Sequence, residues 1–306
     1  MTTLNRRHFL TLAASAATAS AIPAFAFASQ PESFDFIFLT DCHLEPELDA
    51  IHGTSLAMQR ARTLKADFAI QGGDHIFDAL GVPKSRTLAL FDQYDKTEQE
   101  LGLKVHHTLG NHDVCGIYTA SGVAPDDPLY GKKLFADRFG PTFYSFDHRG
   151  YHFIVLDSIG ITDDHHYKAR IDADQLAWLT ADLARLTAAT PIVVTTHIPL
   201  VTALASYNDP DPTALAATYA FTNGPQVIKL FDGHNVLAVL QGHTHINERV
   251  DWHGIPYITS GAVCGNWWKG TRFGIPEGFT VVSLAAGKLT TRYEPTHFKT
   301  IAPENT

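Results

Sequence analysis

Five times between residues 34 and 245, a short run of aromatic and β-branched residues stops at a cluster of Asp, Asn and His. Residues 34–40 lead into Asp41-Cys42-His43, and residues 68–71 lead into Gly73-Asp74. Residues 105–109 lead into Gly110-Asn111-His112-Asp113, residues 192–196 into His197, and residues 236–240 into Gly242-His243-Thr244-His245. Runs this short and this apolar read as buried strands. Helical patterns fall between them, at 56–64, at 85–101, at 174–186 with Leu176, Leu179, Leu183 and Leu186 on one face, and at 227–231. Strand alternating with helix implies an α/β core. In such sheets the carboxyl ends of the strands converge on one crevice. The five clusters are therefore expected to face the same space.

Taken singly, each cluster is uninformative. A strand-end Asp often caps the next helix, and Gly, Asn and Asp are ordinary turn residues. Five of them in order, each at a strand end and each rich in metal-ligand types, predict a shared metal site. Residues i and i+2 of an extended segment point the same way, so Asp41 and His43 can reach one cation, and His243 and His245 can serve one or two. A carboxylate such as Asp74 can bridge two ions. Gly73 and Gly110 are expected to let the backbone turn beside the site. Mixed nitrogen and oxygen donors without thiolate suit Fe, Mn, Zn or Ni better than Ca or Mg. Seventeen histidines in 306 residues fit the same picture. Of the three cysteines, Cys42, Cys115 and Cys264, at least one is unpaired. Cys42 is expected to be core filler pointing away from its neighbours.

The order DxH, GD, GNHD, lone His and GHxH from Asp41 to His245 resembles the calcineurin-like metallophosphoesterases. The segment 174–179 is similar to the helix before the lone-His strand in that family. The resemblance implies a four-layer αββα sandwich with two mixed β-sheets and a dinuclear centre. It implies that Asp41, His43 and His245 hold one metal, Asp74 bridges, and Asn111, His197 and His243 hold the other. It casts His112 as the group facing the scissile phosphate and Asp113 as the carboxylate orienting it. Purple acid phosphatases carry a ligand Tyr three residues after the bridging Asp. Here that residue is Phe77, so no tyrosinate centre is expected.

Substrate contacts are less constrained. His75 is either an extra substrate contact or structural, and Trp267 and Trp268 either stack on a base or sugar or pack the sheet edge. Lys269 and Arg272 are candidates for a second phosphate. These residues favour a phosphodiester, of cyclic-nucleotide or headgroup type, over a broad-specificity phosphomonoesterase. A non-catalytic metal-binding scaffold is disfavoured because every ligand position and His112 are filled.

The remaining features concern organisation and compartment. Residues 142–147 and 151–156 flank a hairpin turn at His148-Arg149-Gly150. After Gly242 the chain is strand-rich (248–251, 255–260, 279–284, 288–293), and this part is expected to join a second sheet. Residues 206–222, with Asn208, Asp209, Pro210, Asp211 and Pro212, read as an irregular loop, either a lid over the site or a surface excursion. Asn5-Arg6-Arg7-His8-Phe9-Leu10 followed by an uncharged Ala-rich run has the layout of a twin-arginine signal over residues 1–28. One domain over 29–306 is expected, periplasmic or extracellular, without stable membrane insertion after cleavage. The formal charge is −9, and losing Arg6 and Arg7 makes it more acidic. Such a surface argues against general nucleic-acid binding and counts against a nuclease role, but not against one small phosphate ester at a cationic centre.

Overall fold

A computed structural model describes residues 31–208 and 214–304. The export segment expected over 1–28 lies outside the described residues. In chain order the first half comprises β1 (Phe34–Leu39), α1 (Ala50–Arg62), β2 (Ala69–Gln71), α2 (Lys84–Glu98), β3 (Val105–His107), α3 (Lys133–Phe139), β4 (Tyr144–His148), β5 (Tyr151–Leu156), β6 (Ile159–Ile161) and β7 (Tyr167–Ala169). The second half comprises α4 (Ala173–Leu183), β8 (Pro191–Thr196), α5 (Leu204–Asn208), α6 (Gly224–Leu230), β9 (Asn235–Gln241), β10 (Glu248–Trp252), β11 (Ile255–Thr259), β12 (Gly278–Ala285) and β13 (Lys288–Pro295).

The strands form two large mixed sheets, in the orders β13-β12-β1-β2-β3 and β10-β11-β9-β8-β5-β4. The strands that end in polar clusters run parallel, β1, β2 and β3 in the first sheet and β8 and β9 in the second, where β5 runs parallel beside β8. Period-two alternation explains the layers. Phe36 and Phe38 of β1 turn inward, meeting Phe153, Val193, Ala238 and Leu240 between the sheets. Ile37 and Leu39 turn outward onto Ala57, Met58 and Ala61 of α1 and Leu90, Phe91 and Tyr94 of α2. On the far side, Leu179 and Leu183 of α4 and Val227 of α6 cover Ile154, Ile192, Val194 and Val239. The result is helix, sheet, sheet, helix. Strands buried on both faces need no polar alternation, which is why these runs are apolar throughout.

Two features differ from expectation. The strand-rich end does not go to one sheet: β10 and β11 join the second, whereas β12 and β13 return to the first, with Phe34 opposite Leu284. The β6-β7 hairpin and α3 carry too few residues for a periodic signal, and neither is evident in the sequence. The turn at Arg149 and Gly150 has φ of 47° and 83°, as a tight hairpin requires. Among the described residues no helix is long and apolar enough to cross a membrane.

Candidate active site

The carboxyl ends of both sets of parallel strands meet at one point. Asp41, His43, Asp74, Asn111, His197 and His245 are all at least 97% buried there. Asp41 Oδ1 lies 3.3 Å from His245 Nε2 and 3.8 Å from His43 Nε2, and those two nitrogens are 3.2 Å apart. Asp74 Oδ2 stands between the two halves, 3.4 Å from His43 Nε2 and 3.1 Å from His197 Nε2. Asn111 Oδ1 is 3.2 Å from His197 Nε2. Donor atoms of Asp74, His197 and His243 fall within 4.8 Å of one another.

The backbone carbonyls around the site fix how the imidazoles present themselves. His197 donates its Nδ1–H to Gly72 O (2.9 Å), His245 its Nδ1–H to Gly265 O (2.8 Å), and His243 its Nε2–H to Thr218 O (3.0 Å). A carbonyl can only accept, so in each neutral ring the other nitrogen is a bare lone pair. For His197 that lone pair faces two further acceptors, Asp74 Oδ2 and Asn111 Oδ1. Acceptors would then converge on acceptors, so the cluster calls for positive charge, from a proton on His197 or from a cation held by the same atoms. The charge count agrees, because no Lys or Arg among the described residues pairs with the buried carboxylates of Asp41 or Asp74. The residues present therefore fit two adjacent metal ions.

The protein groups already polarise one another. Burial alone would raise the Asp41 carboxyl, but His245, His43 and His197 hold it well below the usual carboxylate range. Asp74 is likewise held low against its burial, by His197, His112 and His43. Burial opposes charge on His197, yet Asp74 and Asp41 push it up to about 9. Burial lowers His43 to about 4, and burial together with His197 lowers His243 to about 3.

The geometry is reached through strained backbone. Asp41, His43, Asp74, His243 and His245 have φ of 56°, 42°, 56°, 70° and 58°. The extended i, i+2 arrangement expected for Asp41/His43 and His243/His245 is thus wrong, although the pairs do converge. Left-handed residues other than Gly cost about 1–3 kcal/mol each and cluster at functional sites. Gly73, at φ 107°, makes the anticipated turn. Gly110 has an ordinary φ and is needed for space: a Cβ there would come within 2.2 Å of Asp74 N and Oδ1.

Cross-cluster hydrogen bonds aim the carboxylates. His243 N–H reaches Asp41 at 3.0 Å, and His112 N–H reaches Asp74 Oδ1 at 2.8 Å. The ring of His112 stands edge-on to His43, with centroids 4.8 Å apart. Asp113 does not hold that ring, contrary to expectation. Its carboxylate accepts the backbone N–H groups of Asp74, His75 and Gly110 and the Nδ1–H of His75. The carboxylate nearest the His112 ring is Asp78, with Oδ1 3.7 Å from Nδ1. Burial opposes charge on His112, but Asp74 and Asp78 raise it above its ordinary value.

His75 and Trp268 are not substrate contacts. His75 is fully buried, bonded to Asp113 and 3.0 Å from His107 Nδ1, and stacked on Phe139. Trp268 is buried, with Nε1–H shared between Cys42 O and His43 O. Trp267 does face the site, its ring 4.0 Å from that of His43. Arg272 lines the metal cleft, with Nε–H on Thr244 O. Lys269 lies outside that cleft and pairs with Glu304. Cys42 packs in the core as expected. Cys264 Sγ is 3.6 Å from His245 Nδ1, the nitrogen turned away from the cluster, and burial pushes its thiol up. All three cysteines are free. Sequence reasoning missed Asp78, although it is the next carboxylate after Asp74. It also missed Tyr167 and Tyr219, which line the cleft from segments without periodic pattern.

A family model described as calcineurin-like phosphoesterase matches residues 34–247. The chain belongs to that family. It is 28% identical over 171 residues to a cAMP/cGMP dual specificity phosphodiesterase of Mycobacterium tuberculosis, an alignment covering 54% of this chain and 45% of the relative. The chain thus spans about half the length of that curated relative. Among solved structures it is similar to a dimetal phosphatase from Danio rerio (TM-score 0.62, 15% identity, 89% of this chain and 99% of that one). It is also similar to GAP50, the anchor in the inner membrane complex of Plasmodium (TM-score 0.55, 16% identity, 87% and 85%). At these identities the structural likeness concerns the fold.

Proposed function

We propose that the protein hydrolyses a phosphodiester at this centre, with Asp41, His43 and His245 holding one ion, Asn111, His197 and His243 the other, and Asp74 shared. The observation that carries the diester preference is a charge count. Among the described residues lining the metal cleft, Arg272 is the sole Lys or Arg. With two ions already supplying positive charge, a single added guanidinium suits the one negative charge of a diester, whose second substituent needs space rather than a further cation. The relative named as a cyclic-nucleotide phosphodiesterase supports the same preference.

Two bound ions of the Fe, Mn, Zn or Ni type supply Lewis-acid polarisation of the phosphoryl oxygens and lower the pKa of a water. The chain's own residues do the rest. His112, whose charged form is favoured by Asp74 and Asp78, gives its proton to the oxygen that leaves. Asp78 is the carboxylate placed to hold that imidazole. Trp267 forms a wall of the cleft beside His43 and keeps water from one side of the ester.

The test is hydrolysis of bis-p-nitrophenyl phosphate against p-nitrophenyl phosphate, at equal enzyme and with metal content measured. A higher kcat/KM for the diester is expected. A higher value for the monoester replaces this reading with a broad-specificity phosphomonoesterase. No turnover of either by fully loaded protein replaces it with a metal-binding scaffold.

A further inference from the structure

Beside the metal cleft, on the side of His112, lies a second and larger cavity. The cleft proper is small, about 90 Å3, room for little more than a phosphoryl group. The neighbouring cavity measures about 550 Å3 and shares Asn111, His112, Tyr167 and Trp267 with it. A phosphoryl group in the cleft would therefore project one of its organic substituents past His112 into this space.

The walls say what kind of substituent fits. Trp267 and Phe77 meet edge to face, with centroids 5.8 Å apart at 78°, and Leu48, Leu80, Tyr118 and Tyr167 complete an apolar, aromatic lining. Two carboxylates interrupt it, Glu45 and Asp78. Asp78 is occupied by the backbone N–H groups of Leu80 and Gly81 (2.8 and 3.2 Å) and by the approach of His112. Glu45 is held less firmly, its carboxyl pushed up to about 7 by burial and the neighbouring Glu47. Arg86 is committed to Glu47 at 2.8 and 3.1 Å and reaches Glu45 Oε2 only at 3.5 Å. Glu45 is 94% buried and retains acceptor capacity. Lys269, the one Lys or Arg among the described lining residues, is paired with Glu304. The lining thus combines aromatic faces, which attract cations and flat rings, with two carboxyl groups that offer acceptors and disfavour a bound anion.

We propose that this cavity binds the organic group of the ester, and that it selects a nucleoside- or aryl-sized group without negative charge that turns an N–H or cationic nitrogen toward Glu45. This rests on the phosphodiesterase reading above. It excludes a second phosphate or a carboxylate from that position, and so redirects the sequence expectation for Lys269. Two sources offer the chemistry, a nucleobase amino edge or an alkylammonium headgroup.

The experiment compares kcat/KM of the metal-loaded protein for cyclic AMP, glycerophosphoethanolamine and glycerophosphoserine, the last two differing by one carboxylate. Cyclic AMP or glycerophosphoethanolamine is expected to exceed glycerophosphoserine by about tenfold or more, and the faster of the two names the source. Glu45→Lys is expected to erase or invert the ethanolamine-to-serine ratio, and Glu45→Gln to reduce it. A preference for glycerophosphoserine, or a ratio unmoved in both variants, overturns the proposal. The binding reading stays separate from the catalytic one through Trp267 fluorescence, taken against a Trp267→Phe control. Quenching by free adenosine or ethanolamine that is lost in Glu45→Lys supports the cavity's role even if no ester is turned over, an outcome that would sink only the phosphodiesterase reading. No quenching by either probe counts against the cavity.

Discussion

The metal cleft and the aromatic cavity share His112 and Trp267 but are built by opposite means. The cleft is made where five parallel strands end, from side chains almost wholly buried, on backbone held in left-handed conformations. The cavity is made by excursions: the short turn carrying Leu48, the segment carrying Tyr118, the β6-β7 hairpin with Tyr167, and the Trp267 loop. The sheets give the cleft positional rigidity, which a two-ion centre needs. Loops on a rigid frame can change without unfolding it, which suits substrate choice. On the proposed reading, the reaction is set by the sheets and the choice of ester by what lies between them.

The largest effect should come from the cleft. Asp74→Ala removes the shared carboxylate and is expected to abolish turnover together with metal content, measured by elemental analysis. Full metal occupancy in that variant would break the assignment of Asp74 as shared ligand. Next, His112→Ala is expected to lower kcat by about 10²–10⁴-fold while the metals stay. Loss of both ions there would show that His112 is a ligand.

Adjacent tryptophans sharpen the contrast between frame and excursion. Trp268→Ala should cost about 3–5 kcal/mol of stability in denaturant unfolding, because its ring is buried and its indole N–H ties down the 42–43 carbonyls. Trp267→Ala should leave stability nearly unchanged and raise KM for the diester. Equal unfolding midpoints for the two variants would contradict this division. The two carboxylates separate in the same way. Asp78→Asn should lower kcat about tenfold with little change in Tm, as loss of an orienting group for His112 implies. Asp113→Asn should cost stability, about 1–3 kcal/mol for buried donors left without their acceptor.

The smallest effect is one of pH on chelated protein. Burial holds His43 at about 4, and burial with His197 holds His243 at about 3, whereas unfolded imidazoles titrate near ~6.5. As pH falls the unfolded chain takes up these protons first, so the contribution of both residues is complete above ~6.5 and lost as pH drops toward 4. His197 has the opposite sign. Asp74 and Asp41 push it to about 9 against its burial, so its contribution is complete below ~6.5 and lost as pH rises through 9. Tm in the presence of chelator should therefore peak near pH ~6.5. A Tm still rising at pH 9 would mean that His197 carries no such charge.

Much of the cleft was legible because its ligands sit where an apolar run ends, and both parts of that signal are local in sequence. The strands were found nearly in place: the run at 192–196 is β8 (Pro191–Thr196) and that at 236–240 is β9 (Asn235–Gln241). The cavity was not legible, since Leu48 and Tyr167 belong to elements of three residues and Tyr118 to none, so there is no period to read. Partnerships were the other limit. Asp113 follows His112 directly, and adjacency suggested a pair, but the short turn at Asn111–Asp113 points its carboxylate back at Gly110 and Asp74. Trp267 and Trp268 are neighbours of the same type. Only the left-handed backbone at both, φ 55° and 63°, decides that one faces the site and the other the core.

The return of β12 to the side of β1 bears on how the protein comes into being. β1 delivers Asp41, and its partners are β2 on one edge and, across 250 residues of sequence, β12 on the other. Pairing over such a separation forms late and slowly, because closing so long a loop precedes any reward from contacts. The first ligand to be synthesised therefore waits for nearly the last strand before its sheet is complete. Metal capture is therefore expected late in folding, once that long-range pairing has closed the sheet.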